Sequence, residues 1–172
     1  MVLTASAFED SKASALGDYI PAKLSFDDGE SFVTMVPTTD YKGYLLFVYE
    51  NGKVAKVPMS AYETKTNRKK LTNAYSEKSK LVSILYVEEN ANVLMKSSNG
   101  RMIIFNSALM LPKASRDTIG VAAMTLKAKS VVEKAYIVDD DTAKKFSKYI
   151  VKNIPAAGPF AKDIEDPDQL TL

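Results

Sequence analysis

The chain has 172 residues, enough for one domain or a few small repeats sharing a core. Hydrophobic residues make up 46% and charged residues 26%, an ordinary globular balance, and no run approaches the roughly 18 apolar residues of a membrane span. It contains no cysteine and no histidine, which excludes disulfides, thiolate metal sites and every Ser-His or Cys-His nucleophilic pair, while a net charge of +2 says little about partners.

Residues 1–19 are small, polar and aperiodic, and read as an irregular N-terminal segment. They lack a basic n-region, so no secretory signal is expected and the default location is cytoplasmic. Tyr19 to Phe26 reads as extended, because Pro21 disfavours the helical region for Ile20. Asp27-Asp28-Gly29-Glu30 is a turn, and Phe32 to Val36 reads as a strand closed by Pro37. Tyr44–Tyr49 and Lys53–Val57 form a hairpin around Asn51-Gly52, with a type I′ turn expected from that dipeptide. Pro58 to Tyr62 leaves the sheet, and 63–70 is a basic loop.

Leu71 to Tyr75 reads as a short extended piece and Leu81 to Val87 as a strand. Val93–Lys96 and Met102–Phe105 make a second hairpin around Asn99-Gly100, and Leu111 to Arg116 is a second polar exit loop. Val121–Leu126 and Val131–Val138 begin a third copy that stops before its hairpin. Asp139-Asp140-Asp141 stands there instead; it lacks a calcium-loop pattern and reads as a solvated turn, so no metal site is expected. Apolar positions 143, 146, 149 and 150 have helical spacing. From Asn153 onward Pro155, Gly158, Pro159 and Pro167 oppose regular structure, and the last ten residues hold four acids and no base.

The two Asn-Gly turns lie 48 positions apart, and each carries the same order: extended piece, turn, strand, hairpin, basic loop. Such a period points to propeller-type blades of about four strands, which bury both faces only by stacking on neighbours. Met95, Met102, Phe105 and Leu111 are assigned to that core, and Gly52 and Gly100 to the turns. An all-β fold follows, with blades over 20–138 and a C-terminal extension over 139–172 that carries a short helix and the acidic tail.

The segments following each hairpin carry a further pattern. Asn99-Gly100-Arg101 leads into Met102–Phe105, then Pro112-Lys113-Ala114-Ser115-Arg116, then Gly120 and Val121 to Leu126. Together with the acidic turn from Leu24 to Glu30, these residues resemble the blades of the C-terminal domain of bacterial type IIA topoisomerase A subunits, those of DNA gyrase and topoisomerase IV. The resemblance covers about residues 20–138. It implies a β-pinwheel, here an incomplete disc, whose rim binds and bends double-stranded DNA without sequence preference. The implied partners are the rest of the A subunit and the ATPase subunit of an ATP-dependent topoisomerase, with no membrane and no cofactor. The gyrase Gln-Arg-Arg-Gly-Gly-Lys-Gly box has no match; the loop here is Glu63 to Lys70, which keeps charge and loses the glycines. None of the nine tyrosines has the setting of the strand-breaking tyrosine, so no catalytic residue is assigned.

Between Lys65 and Lys80 there are six basic residues against Glu77 alone, a patch suited to a polyanion. The candidate DNA contacts are Lys65, Arg68, Lys69 and Lys70 in the first exit loop, Lys113 and Arg116 in the second, and Lys53 and Arg101 beside the hairpin glycines. Equivalent positions on successive blades make a cationic track for phosphates. The alternative reading is a propeller-like protein–protein interaction module with no DNA role; a stand-alone enzyme is remote without histidine, cysteine or paired carboxylates.

Overall fold

The computed structural model describes residues 1–8, 10–66 and 70–161. It contains two antiparallel sheets. The first has the order β3 (Leu81–Val87), β1 (Tyr44–Tyr49), β2 (Lys53–Pro58), β6 (Val121–Ala122). The second has the order β5 (Met102–Asn106), β4 (Asn92–Ser97), β7 (Val132–Val138). Each hairpin takes its outer strand from the unit that follows. β3 precedes the second hairpin in the chain yet pairs with β1, Leu46 opposite Leu85, and β7 pairs with β4 in the same way, Leu94 opposite Tyr136.

The inner edges are also supplied from downstream. Ala123 donates its N–H to the Gly52 carbonyl at 2.9 Å, and Ala161 donates to the Gly100 carbonyl at 2.7 Å. Lys113 N–H reaches the Lys56 carbonyl at 2.8 Å, and Val151 N–H reaches the Ile104 carbonyl at 2.9 Å. Residues 113–123 and 151–161 therefore perform the same task on successive hairpins. Gly120 and Gly158 hold equivalent places in them, with φ of +71° and +66°.

Alternating side chains face opposite sides of each strand, so a sheet stacked on both sides must be apolar on both. Leu46, Val48 and Val54 of the first hairpin meet Val93, Met95, Ile103 and Phe105 of the second in a shared core. Each such side chain, fully buried, contributes about 1.5–3 kcal/mol. Leu45, Phe47, Tyr49 and Val57 face the other way and are covered by Tyr62, Val36, Tyr41 and Leu71. Leu94, Met102 and Ile104 face Ala143, Phe146 and Tyr149, so α2 (Asp140–Lys145) and the 3-10 turn after it cover the second sheet where a further hairpin is missing.

The strands Leu81–Val87, both hairpins and the β7 strand follow the sequence reading; several details differ. The hairpin turns run through Glu50-Asn51 and Ser98-Asn99 to Gly52 and Gly100, with a Tyr49 carbonyl to Gly52 N–H bond of 3.0 Å and a Ser97 carbonyl to Gly100 N–H bond of 2.9 Å. Only the glycines have positive φ (+80° and +76°), so the turn is not type I′: the left-handed residue follows the turn instead of forming its centre. Ile20–Lys23 forms α1, a single helical turn in place of the expected extension, because Pro21 sits in the first turn, where no N–H is required. Residues 32–36 are not a strand, since none of the described residues pairs with them, and 71–75 turn rather than extend. The strand expected over 121–126 stops at Ala122, because the Ala123 and Met124 N–H groups both converge on the Gly52 carbonyl. Asp139, Asp140 and Asp141 are solvated, but they open a helix instead of forming a turn: Asp139 caps α2, its carboxylate accepting from Thr142 N–H at 2.6 Å. Leu111 is 78% exposed and lies outside the core; Met95, Met102 and Phe105 lie within it.

Candidate nucleic-acid interface

Both exit loops begin in the same way. β2 runs into the 3-10 turn Met59–Tyr62, and β5 into Ser107–Leu109. Met59 and Tyr62 anchor the first, and the Lys113–Lys56 backbone bond ties the second to the edge of β2. That bond carries the second loop across to the first blade. Arg116 then extends its guanidinium over the Tyr62 ring, 5.9 Å from the centroid, and donates to the Thr72 carbonyl at 3.4 Å. The two exit loops thus share an open recess lined by Ala61, Asn73, Ala114, Ser115, Arg116 and Asp117.

The eight candidate cations are not equally placed. Lys65 and Lys113 are exposed, and among the described residues neither ammonium has a partner. Lys53 is half-buried at the start of β2, its N–H held by the Asn51 side chain at 3.1 Å. Lys70 is exposed but bridges Asp27 and Glu30, the latter at 2.9 Å. Hydrogen bonds to those carboxylates raise the Lys70 pKa, and the bond from Lys70 lowers that of Glu30. The acidic turn therefore neutralises this lysine locally. Arg101 is engaged elsewhere: its guanidinium donates to the Gly158 carbonyl and lies 4.2 Å from the Phe160 centroid, clasping the 151–161 segment to the second hairpin. Arg68 and Lys69 lie outside the described residues.

Sequence reading missed Lys56. It is 5% exposed in β2, donating to Asn90 Oδ1 at 2.8 Å and to the Ser107 carbonyl at 3.3 Å, with the Tyr44 ring 4.6 Å away. It ties the first blade to the start and end of the second hairpin. The signal was a lysine inside a strand buried on both faces. Burial lowers its pKa, so the unfolded chain binds that proton more tightly and stability rises as pH climbs toward the ordinary lysine value of about 10.4. Burial raises Tyr49 and Tyr62, which act in the opposite sense at high pH. The difference between wild type and Lys56→Met isolates the lysine: urea midpoints should shift in favour of wild type as pH rises toward that value. A second group of cations, Lys144, Lys145, Lys148 and Lys152, was also missed. Lys145 and Lys148 lie over the rings of Phe146 and Tyr149 on the cover of the second blade.

The fold is similar to that of several solved structures. The C-terminal domain of DNA topoisomerase IV superposes with a TM-score of 0.64 at 22% identity, over 73% of this chain and 40% of that one. The fold is the β-pinwheel of the gyrase A and topoisomerase IV C-terminal domains. The gyrase A domain matches with a TM-score of 0.59 at 20% identity, over 83% of this chain and 54% of its own. The E. coli ParC C-terminal domain gives 0.59 at 12% identity, over 88% and 69%. The chain thus spans roughly half the length of the first two. No protein-family model and no curated protein sequence matches. Among the described residues, no helix is long and apolar enough to cross a membrane, and no group of three or more acidic side chains is placed to hold a metal ion.

Proposed function

We propose that this pinwheel is a DNA-binding and DNA-bending accessory domain of a bacterial type IIA topoisomerase A subunit, guiding duplex DNA toward the cleavage core. The observation that carries the reading is the contact of Arg116 with Thr72 and Tyr62, which sets two cationic exit loops side by side. Lys65 in the first loop and Lys113 in the second are both exposed, and phosphates attract such cations without sequence being read. Strand cleavage and ATP hydrolysis belong to the rest of the A subunit and to its ATPase partner, in the cytoplasm. Bending a short duplex costs on the order of 1–6 kcal/mol, so two blades support modest bending only.

The test is binding of two duplexes of unrelated sequence, each about 25 bp, end-labelled to report bending. Equal affinities at low salt and a shortened end-to-end distance are expected. Failure to bind either duplex, with a protein partner recovered instead, favours the interaction module.

Lys70 provides a second check. Asp27→Asn with Glu30→Gln frees its ammonium and removes local negative charge, and should tighten duplex binding by about 3–10-fold at low salt. Unchanged affinity in direct titration places Lys70 outside the interface.

A further inference from the structure

We infer that residues 32–36 are an acceptor strand for a β-hairpin supplied from outside these 172 residues. The strand preceding each later unit pairs with the hairpin before it: β3 with β1, and β7 with β4. Phe32-Val33-Thr34-Met35-Val36 precedes the β1–β2 hairpin just as β3 precedes β4–β5, and it has the same apolar, β-branched character as Leu81–Val87. Its partner under the same exchange is a hairpin lying before β1, and the described residues before β1 contain none.

The segment is open along its backbone. Among the described residues, no backbone–backbone hydrogen bond involves residues 31–37. Phe32, Val33 and Met35 are 48%, 50% and 50% exposed, while Val36 packs into the cluster around Phe47 and Tyr49. Unpaired N–H and C=O groups beside exposed apolar side chains are what an added strand recognises.

The inner edge is also prepared. Gly120 and Gly158 take left-handed backbone where 113–123 and 151–161 cross their hairpins. Asn73 follows the first exit loop with φ of +52°, and asparagine is among the few residues with a side chain that tolerate this region. Beside it, Tyr75 stacks on Phe47 with centroids 6.0 Å apart and keeps 38% of its surface exposed, leaving an aromatic floor for a hairpin to cover.

A second copy of the chain is a poor occupant. Both of its hairpins already have each edge filled, by β3 and β6 in one and by β7 and the 151–161 segment in the other. The occupant is a free two-stranded antiparallel hairpin with apolar strands and a glycine-ended loop.

The test titrates the full chain with a backbone-cyclised peptide carrying its own hairpin sequence, residues 44–58, while amide hydrogen exchange is followed. Binding at 1:1 should slow exchange at 32–36 by at least about tenfold and leave β4 and β5 unchanged. Adjacent N–H groups point to opposite edges, so at least one of Val33→Pro and Thr34→Pro should abolish binding. Duplex affinity should stay unchanged in both variants, which separates this inference from the nucleic-acid reading. No binding, protection elsewhere, or insensitivity to both prolines overturns it. Self-association of the chain alone that either proline abolishes also overturns it, because the occupant is then a second copy.

Discussion

Gly120→Val is expected to destabilise the chain by about 3–5 kcal/mol, the largest effect of any single substitution considered. Gly120 has φ of +71°, and a Cβ there meets the Val54 carbonyl oxygen at 2.3 Å, Val54 C at 2.4 Å and Ala55 N at 2.6 Å. These are backbone atoms of β2, fixed by pairing with β1, so the incoming segment must move instead. That movement breaks the Ala123–Gly52 bond, strips the inner edge from the first hairpin and pulls Ala123 and Met124 from the shared core. Gly100→Ala is the control. Its φ is +76°, yet nothing lies within 4 Å of the added Cβ, so only the left-handed penalty of about 1–2 kcal/mol applies. Urea denaturation of the two variants separates backbone strain from steric exclusion. Equal losses in both contradict the close approach at Gly120.

Replacing Lys65, Arg68, Lys69 and Lys113 by alanine should weaken duplex binding by about 10- to 1,000-fold near 100 mM salt and reduce the salt slope by about 3–4. Stability should change by under about 0.5 kcal/mol per substitution, because Lys65 and Lys113 are exposed and make no ion pair among the described residues. Arg116→Ala behaves differently. It removes a proposed phosphate contact and also the link to Thr72 and Tyr62, so affinity and stability should fall together. Retained affinity in the quadruple variant, measured by anisotropy on a labelled duplex, places the interface on another face.

Much of the fold was legible because a sheet stacked on both sides demands long apolar runs. Tyr44–Tyr49, Leu81–Val87 and Met102–Phe105 show such runs beside polar or glycine turns. Where the reading failed, a distant partner decided the outcome. Phe32–Val36 has the composition of a strand and no pairing partner among the described residues, whereas Val132–Val138, which includes Glu133 and Lys134, finds β4. Strand exchange between units is invisible to periodicity, so the equivalence of 113–123 with 151–161 emerged only from their hydrogen bonds to Lys56, Gly52, Ile104 and Gly100. The candidate cations were legible as charges but not as environments. Nothing local to Arg101 indicates Phe160, and nothing local to Lys70 indicates Asp27 and Glu30.

The most direct test of the cationic corner is the affinity of the unmodified chain for a mixed-sequence duplex across about 50 to 200 mM salt. Four or more phosphate contacts predict a fall of at least about 100-fold over that range, linear in the logarithm of salt. Affinity that stays flat contradicts the account.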